Sequence, residues 1–405
     1  MIQRNPDDPW ILLDQKLRLR SLLIEDFRGF GRFEINNLGR VNLLVGTNNS
    51  GKTTVLEAIN ILSANGDFSS IWSTLRARGE DVFIDREDSN SSPGRQVDIR
   101  RLFRGHELEA GKTFKISSEG DSGIKTMTAK IEDSPSTDQQ LLEAISRQID
   151  STEDILPPFS LSLKWGTGIG KEITLPLSNW GGFSIDMFRR ASLRPNLVES
   201  IPVQMITTTS LTAEYVSSSF EKIVLTPKED LVTEAMRIIE PDIERIASSG
   251  SDRNRYGSRL SYRGGILVRL KGVTDRIPIG SLGDGIWRML GPALAVVQTE
   301  NGILLVDEID TGLHHTVMEQ LWRFLYECAK RFNVQIFATT HSWDCCHSLA
   351  VICRDDVSEE SDVTLNRIER GRGEAVGYSE REIIAVAEIA LYHQLGKLPN
   401  SEFTQ

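Results

Sequence analysis

The sequence predicts an α/β fold built on a parallel sheet covered by helices, and three observations carry that prediction. Val41 to Val45 is a buried strand that runs into a glycine-bounded loop and then into a helix beginning near Lys52 and ending about Ala64 to Gly66. From Ser281 onward strands and helices alternate: Gly283-Asp284-Gly285 opens an apolar helix, Ile303 to Val306 is a strand, Val317 to Phe332 is a helix, and Val334 to Ala338 is another strand. Alternation of this kind specifies a parallel sheet with crossover helices. Finally, the loop between the first strand and helix matches G-x-x-x-x-G-K-[ST] at every fixed position, in the strand-to-helix context that identifies a phosphate-binding P-loop.

Before the first of these strands, Leu22 to Phe30 reads as a strand and a turn at Gly29 leading into a second strand, an N-terminal β subdomain. After the first helix the signal weakens. Residues 67–280 contain polar, breaker-rich pieces such as Glu87 to Gly94 and Asp133 to Asp138, and read as a compact α+β insertion, or lid, with a partly helical stretch from Ala213 to Ile239. The expected organisation is residues 1–66 and 281–350 as the two halves of a P-loop head, 67–280 as the insertion, and 351–405 as a terminal hairpin and helix. No internal repeat or sustained heptad pattern occurs.

Composition excludes several classes. With 39% hydrophobic and 25% charged residues in 405, the chain has a globular balance, and no apolar run approaches membrane-spanning length. The N-terminal residues lack the pattern of a secretory signal, so a cytoplasmic location and no membrane partner are expected. Four cysteines do not form a disulfide framework, and the adjacent Cys345 and Cys346 lack the spacing of a zinc pair, which leaves them as buried cysteines. A formal net charge of −11 opposes general coating of DNA, so any nucleic-acid contact has to be local. The candidate is residues 245–271, where Arg245, Arg253, Arg255, Arg259, Arg263, Arg269 and Lys271 face only Asp252, with Tyr256 and Tyr262 interleaved; a solvated hairpin or loop is the competing reading.

The chemistry concentrates at three strand ends. In Gly46-Thr47-Asn48-Asn49-Ser50-Gly51-Lys52-Thr53-Thr54 the backbone N–H groups are expected to point at phosphate oxygens, aided by the helix N-terminus. Lys52 is expected at the β- and γ-phosphates, and Thr53 at magnesium. The apolar strand Ile303 to Val306 ends in Asp307-Glu308, so that Asp307 reaches the magnesium shell and Glu308 the attacking water. Thr339-Thr340-His341-Ser342 puts a histidine just past the next strand, at the carboxyl edge where ligands of open α/β sheets bind, as a γ-phosphate sensor.

With Phe27-Arg28, the P-loop, Gly283 to Gly285, Asp307-Glu308 and Thr340 to Ser342 in this order, the chain resembles the ABC-type ATPases of the RecF, SMC and OLD group, often described as AAA-family ATPases of DNA repair and phage defence. The resemblance implies an ABC-ATPase-like head, ATP and magnesium as cofactors, and a homodimer or higher oligomer with ATP sandwiched between protomers. It makes Gly283, Gly285 and Arg288 the signature segment facing the partner's nucleotide, with Asp284 capping the following helix. His314 falls in the segment that resembles the D-loop, and an exposed loop histidine is the alternative. Gln96, Gln139, Gln140 and Gln204 offer no distinctive context for the Q-loop glutamine. OLD-type relatives continue into a Toprim nuclease domain; in residues 342–405 only Asp355-Asp356 and Glu359-Glu360 gather acid, in a polar loop, so no nuclease is expected. The functional expectation is an ATPase switch controlling a separate effector in nucleic-acid repair or anti-phage defence. The alternatives are the nucleotide-binding subunit of a transporter and an ATP-binding scaffold without turnover.

Overall fold

The computed structural model describes residues 17–84, 94–133, 159–166, 170–178, 181–184, 201–248, 265–355 and 362–394. In chain order the elements begin with β1 (Leu22–Glu25), β2 (Arg32–Ile35), β3 (Val41–Val45), α1 (Lys52–Ser63), α2 (Phe68–Ala77), β4 (Asp81–Ile84) and β5 (Gly94–Asp98). Next come β6 (Thr113–Gly120), β7 (Gly123–Asp133), β8 (Phe159–Gly166), β9 (Lys171–Leu177), β10 (Gly182–Ser184), β11 (Val203–Ile206), α3 (Ala213–Glu221) and α4 (Pro227–Arg237). Then follow β12 (Ile243–Ser248), β13 (Ile266–Leu270), β14 (Ile277–Pro278), α5 (Asp284–Gln298), β15 (Ile303–Val306), α6 (His315–Arg331) and β16 (Gln335–Thr340). The last are α7 (Trp343–Asp355), β17 (Val363–Arg367), β18 (Val376–Tyr378) and α8 (Glu380–Gln394).

The central sheet has the order β11-β15-β16-β3-β17-β18, with every neighbouring pair parallel except the terminal β17-β18 hairpin. Its strands read as continuous apolar runs because both faces are covered. On one face α5, α6 and α7 bury Trp287, Leu290, Leu321, Trp322, Leu325 and Leu349. The apolar stripe of α6, Met318, Leu321, Trp322, Leu325 and Ala329, recurs at helical spacing, so one side of the helix packs and the other meets solvent. On the other face lies α1, which is buried almost all round. It is roofed by an antiparallel sheet of order β2-β1-β6-β7-β8-β9. In β6 the side chains of Phe114 and Ile116 alternate inward and join the core formed by α1 and Leu44.

The head therefore draws on more of the chain than residues 1–66 and 281–350. Four strands of the roofing sheet, β6 to β9, come from the segment the sequence assigns to an insertion, and their apolar face joins the same core as α1. Strand β11, also within 67–280, pairs in parallel with β15 from Val203↔Ile303 to Ile206↔Val306. The terminal segment is likewise built in, since β17 pairs in parallel with β3. Smaller sheets, β10-β5-β4 and β12-β13-β14, stand outside these layers.

Candidate nucleotide site

Parallel pairing without offset brings the carboxyl ends of β3, β16 and β15 to one edge, and each end carries chemistry. Val45 of β3 is opposite Thr340 of β16, and Ala338 is opposite Val306 of β15. Past β3 the chain turns through the P-loop. Gly51 has φ 107, and a Cβ there would come within 2.4 Å of the Phe30 ring, so the second fixed glycine answers to both the backbone turn and the close approach of the β1-β2 corner. Asn48, Asn49 and Ser50 span the loop, with Asn49 in the left-handed region at φ 62. The buried Ser50 hydroxyl has no hydrogen-bond partner among the described residues.

Lys52 Nζ folds over the loop and donates to the carbonyls of Gly46 at 2.7 Å and Thr47 at 2.9 Å. Two of its three protons are thereby used, and one remains for a ligand. Burial pushes the Lys52 ammonium below the usual lysine value, against the pull of Asp307 and Glu308. Thr53 Oγ1 donates to the Asp307 carboxylate, 3.2 Å from Oδ1 and 3.1 Å from Oδ2, while Thr339 Oγ1 donates to Oδ1 at 2.6 Å. A hydroxyl beside a carboxylate is a hard-oxygen donor pair suited to magnesium. Glu308 follows at φ 52, its N–H donating to Thr339 Oγ1 at 2.8 Å and its Oε2 accepting from Thr311 at 3.1 Å.

His341 is exposed at the rim. With Gly46, Thr47, Ser342, Trp343, Arg367 and Tyr378 it lines a mostly apolar cavity of about 410 Å³. A second cavity, of about 770 Å³, is lined among others by Thr53, Glu57, Arg78, Asp307 and Thr207 to Ser210. Lys52, Thr53, Asp307, Glu308 and His341, drawn from three separate segments, thus share one edge, and Thr54 lies one helical residue further in.

The signature residues are placed differently. Gly283 is the residue before α5, at φ 102, and no side chain caps the helix. Asp284 is the first helical residue and lies 3.6 Å from Arg288 Nε. The expected capping by Asp284 is thus replaced by an i,i+4 ion pair, because a residue already inside the helix faces along its surface rather than back at the free N–H groups. Arg288 Nη1 also donates to the Thr208 carbonyl at 3.3 Å, and Gly285 stands against the Gly312 carbonyl. Gly283, Gly285 and Arg288 line neither cavity beside the P-loop of their own chain. His314 caps α6, its Nδ1 accepting from the Thr316 N–H at 3.4 Å.

Other candidates are accounted for locally. Gln204 Oε1 accepts from the Tyr215 hydroxyl at 3.1 Å, and the residues just beyond the end of β11 that reach the second cavity are Thr207 to Ser210. Gln139 and Gln140 lie outside the described residues. Arg245 is 3.5 Å from Glu229, and Arg269 is 2.7 Å from Glu244, so two cations of the basic stretch are matched by acids distant in sequence. Residues 249–264, which hold Arg253, Arg255, Tyr256, Arg259, Tyr262 and Arg263, lie outside the described residues. Of the acidic group, Asp355 pairs with Arg323, and Asp356, Glu359 and Glu360 lie outside the described residues. Burial pushes the Cys346 and Cys353 thiols up to about 12.

The sequence did not reveal a buried ion network behind the P-loop. Glu57, 3% exposed, stands 2.8 Å from Arg28 Nε and 2.5 Å from Arg78 Nε, and Arg28 also grips Glu80 at 2.9 and 3.0 Å. Arg78 Nη2 donates to Thr54 Oγ1 at 3.3 Å, which brings a guanidinium to the second cavity. Burial pushes the Glu57 carboxyl up, opposed by Arg28 and Arg78. A glutamate inside the apolar run Val55 to Ile59 is the one signal in the sequence; nothing local marks Arg78.

The chain is similar to several known proteins. Residues 18–164 match a family model described as "AAA ATPase domain", and residues 192–343 match one described as "AAA domain, putative AbiEii toxin, Type IV TA system". Both descriptions are of AAA-type domains. Among curated proteins, the chain is 20% identical over 366 residues to an "ATP/GTP phosphatase" of Helicobacter pylori, covering 83% of this chain and 89% of that one. It is 40% identical over 70 residues to the "DNA replication and repair protein RecF" of Clostridioides difficile, a match that spans 17% of this chain and 19% of RecF. Among solved structures, the SMC head domain from Thermotoga maritima aligns with TM-score 0.41 at 14% identity, covering 90% of this chain and 99% of that one. An Smc head domain bound to the C-terminal domain of ScpA, derived from Pyrococcus furiosus, aligns with TM-score 0.45 at 10% identity, covering 92% and 99%.

Proposed function

We propose that the chain binds ATP with magnesium, hydrolyses it, and uses the cycle to close and open a homodimer that controls a separate effector in nucleic-acid repair or anti-phage defence. The observation that carries the reading is the meeting of Lys52, Thr53, Asp307, Glu308 and His341 at one sheet edge. In this reading the P-loop amides of Gly46 to Thr54 cradle the triphosphate, and the free proton of Lys52 turns to the β- and γ-phosphates. Thr53 and Asp307 would hold magnesium, which when bound neutralises phosphate charge. Glu308 orients the attacking water and accepts its proton, and His341 donates a hydrogen bond to the γ-phosphate. Gly283, Gly285 and Arg288 act on the nucleotide of a second protomer, consistent with their lying off both cavities of their own.

The relative in Helicobacter pylori, described as an ATP/GTP phosphatase, supports turnover rather than a silent scaffold. The match to RecF and the toxin–antitoxin description of the second family model support an effector connected with nucleic acid or defence. Among the described residues no helix is long and apolar enough to cross a membrane, and a cytoplasmic location is part of the proposal.

The test is phosphate release by the purified chain, run beside light scattering. With ATP and magnesium the mass is expected to double and to return to the starting value as ATP is consumed. Binding without turnover would favour the scaffold, and turnover without growth in mass would remove the dimer. An affinity capture in ATP and magnesium, with bound proteins and nucleic acids identified, addresses the effector.

A further inference from the structure

Strand β16 ends in two fully buried threonines, Thr339 and Thr340. Successive strand side chains face opposite sides of a sheet. Phe337 packs into the core on the α1 side and Ala338 into the core under α6 and α7, so Thr339 faces the P-loop helix and Thr340 faces away from it. Each hydroxyl is used twice. Thr339 Oγ1 donates to Asp307 Oδ1 at 2.6 Å and accepts from the Glu308 N–H at 2.8 Å, while its carbonyl accepts from the Ile309 N–H at 3.0 Å. Thr340 Oγ1 donates to Asp310 Oδ1 at 2.6 Å and accepts from the Ser342 N–H at 2.9 Å.

We propose that Thr339 is a positioning residue for ATP hydrolysis, its single hydroxyl setting both the rotation of the Asp307 carboxylate and the backbone that aims Glu308. The inference rests on the ATPase reading above. A threonine hydroxyl has one proton, and the carboxylate can only accept it, so the donor direction is fixed and the oxygen is left to receive the Glu308 N–H. Holding Oδ1 from the sheet side turns the carboxylate so that both oxygens stay within reach of Thr53, at 3.2 and 3.1 Å. The second hydrogen bond acts on a residue at φ 52, a conformation that a glutamate keeps only where its surroundings impose it. One side chain thus couples the group that would hold magnesium to the group that would orient water. Thr340, on the opposite face, performs the matching connection between Asp310 and the segment after His341.

The test compares Thr339→Val, Thr339→Ser and Thr340→Val in the full chain. Valine keeps the shape of threonine and removes the hydroxyl; serine keeps the hydroxyl. Thr339→Val is expected to lower kcat by about ten- to hundred-fold, the rate equivalent of a lost hydrogen bond to a charged group, with KM for ATP unchanged. It is also expected to raise the magnesium concentration needed for half-maximal binding of a fluorescent ATP analogue. Thr339→Ser restores both quantities, and Thr340→Val leaves the magnesium midpoint where it is. Wild-type kcat and midpoint in Thr339→Val would overturn the proposal. So would a serine variant that melts like wild type yet is as impaired as valine, since that assigns the residue to packing, and so would an equal midpoint shift in Thr340→Val. If Thr339→Val loses its native circular dichroism, Thr339→Ala replaces it in the comparison with serine. A wild type without turnover would defeat the ATPase reading, and the magnesium midpoint, which needs binding alone, would still decide the role of Thr339.

Discussion

Replacing Glu308 by glutamine removes one negative charge and almost nothing else. In the folded chain Glu308 Oε2 accepts from the Thr311 hydroxyl at 3.1 Å and the backbone N–H is held by Thr339 at 2.8 Å. A glutamine oxygen can still accept from Thr311, and the backbone contact is untouched, so the stability change should stay below about 1 kcal/mol, the net worth of one hydrogen bond. The rate is a different matter. If the carboxylate orients and deprotonates the attacking water, its loss removes general-base assistance of about 10²–10⁴, or ~2.7–5.4 kcal/mol of barrier. In the proposed cycle the substitution would also relieve repulsion beside the γ-phosphate, so ATP binding is expected to persist and the ATP-bridged form to accumulate. Phosphate release at saturating ATP and magnesium, thermal melting and light scattering on the same preparation read all three consequences. A mutant of normal rate would remove Glu308 from the reaction. A slow mutant whose melting temperature collapses would trace the loss to folding, and a slow, stable mutant with no gain in mass would keep the ATPase and discard the dimer.

Lys52→Ala removes the ammonium that spans the P-loop carbonyls, and titration with a fluorescent ATP analogue is expected to show binding abolished while circular dichroism stays native; undiminished affinity would refute the phosphate role. Glu57→Ala strips the counter-charge from Arg28, 6% exposed, and Arg78, 36% exposed, and is expected to cost about 3–5 kcal/mol in urea unfolding, the range for breaking a buried pair; a change under about 1 kcal/mol would show that Glu80 alone satisfies Arg28. Glu382 titrates below the usual carboxylate range because the Ser379 N–H and hydroxyl bond to it. Its folded value lies below its unfolded one, so its contribution is present above the unfolded pKa and is lost as pH falls through the folded pKa. Glu382→Gln should therefore flatten the acid side of the melting-temperature profile, by no more than the roughly 1 kcal/mol of an exposed cap, and an unchanged profile would count against that contact.

How much of this was legible in the amino-acid order depends on the range over which each signal acts. Strand β3, the P-loop and the start of α1 were readable to within a residue, and the end of α1 to within about three, because a strand, a glycine loop and a helix adjacent in sequence leave their pattern in adjacent residues. Asp307-Glu308 and His341 were readable for the same reason, each being the end of a continuous apolar strand. The boundaries of the head were not. Strands β6 to β9 and β11 are ordinary short strands by composition, and whether they form a separate lid or complete the head is decided by which apolar face they find, here α1 for β6 and the side of β15 for β11. The same limit applies to side-chain partners. Arg78 meets Glu57 across 21 positions, Thr339 meets Asp307 across 32, and Thr53 meets Asp307 across 254. Sequence alone determined which groups could carry phosphate chemistry, since that depends on residue type and local backbone. Only the tertiary structure decided which hydroxyl holds which carboxylate and which arginine faces the cavity, because those pairings depend on parallel strand register and on the packing of two sheets about one helix.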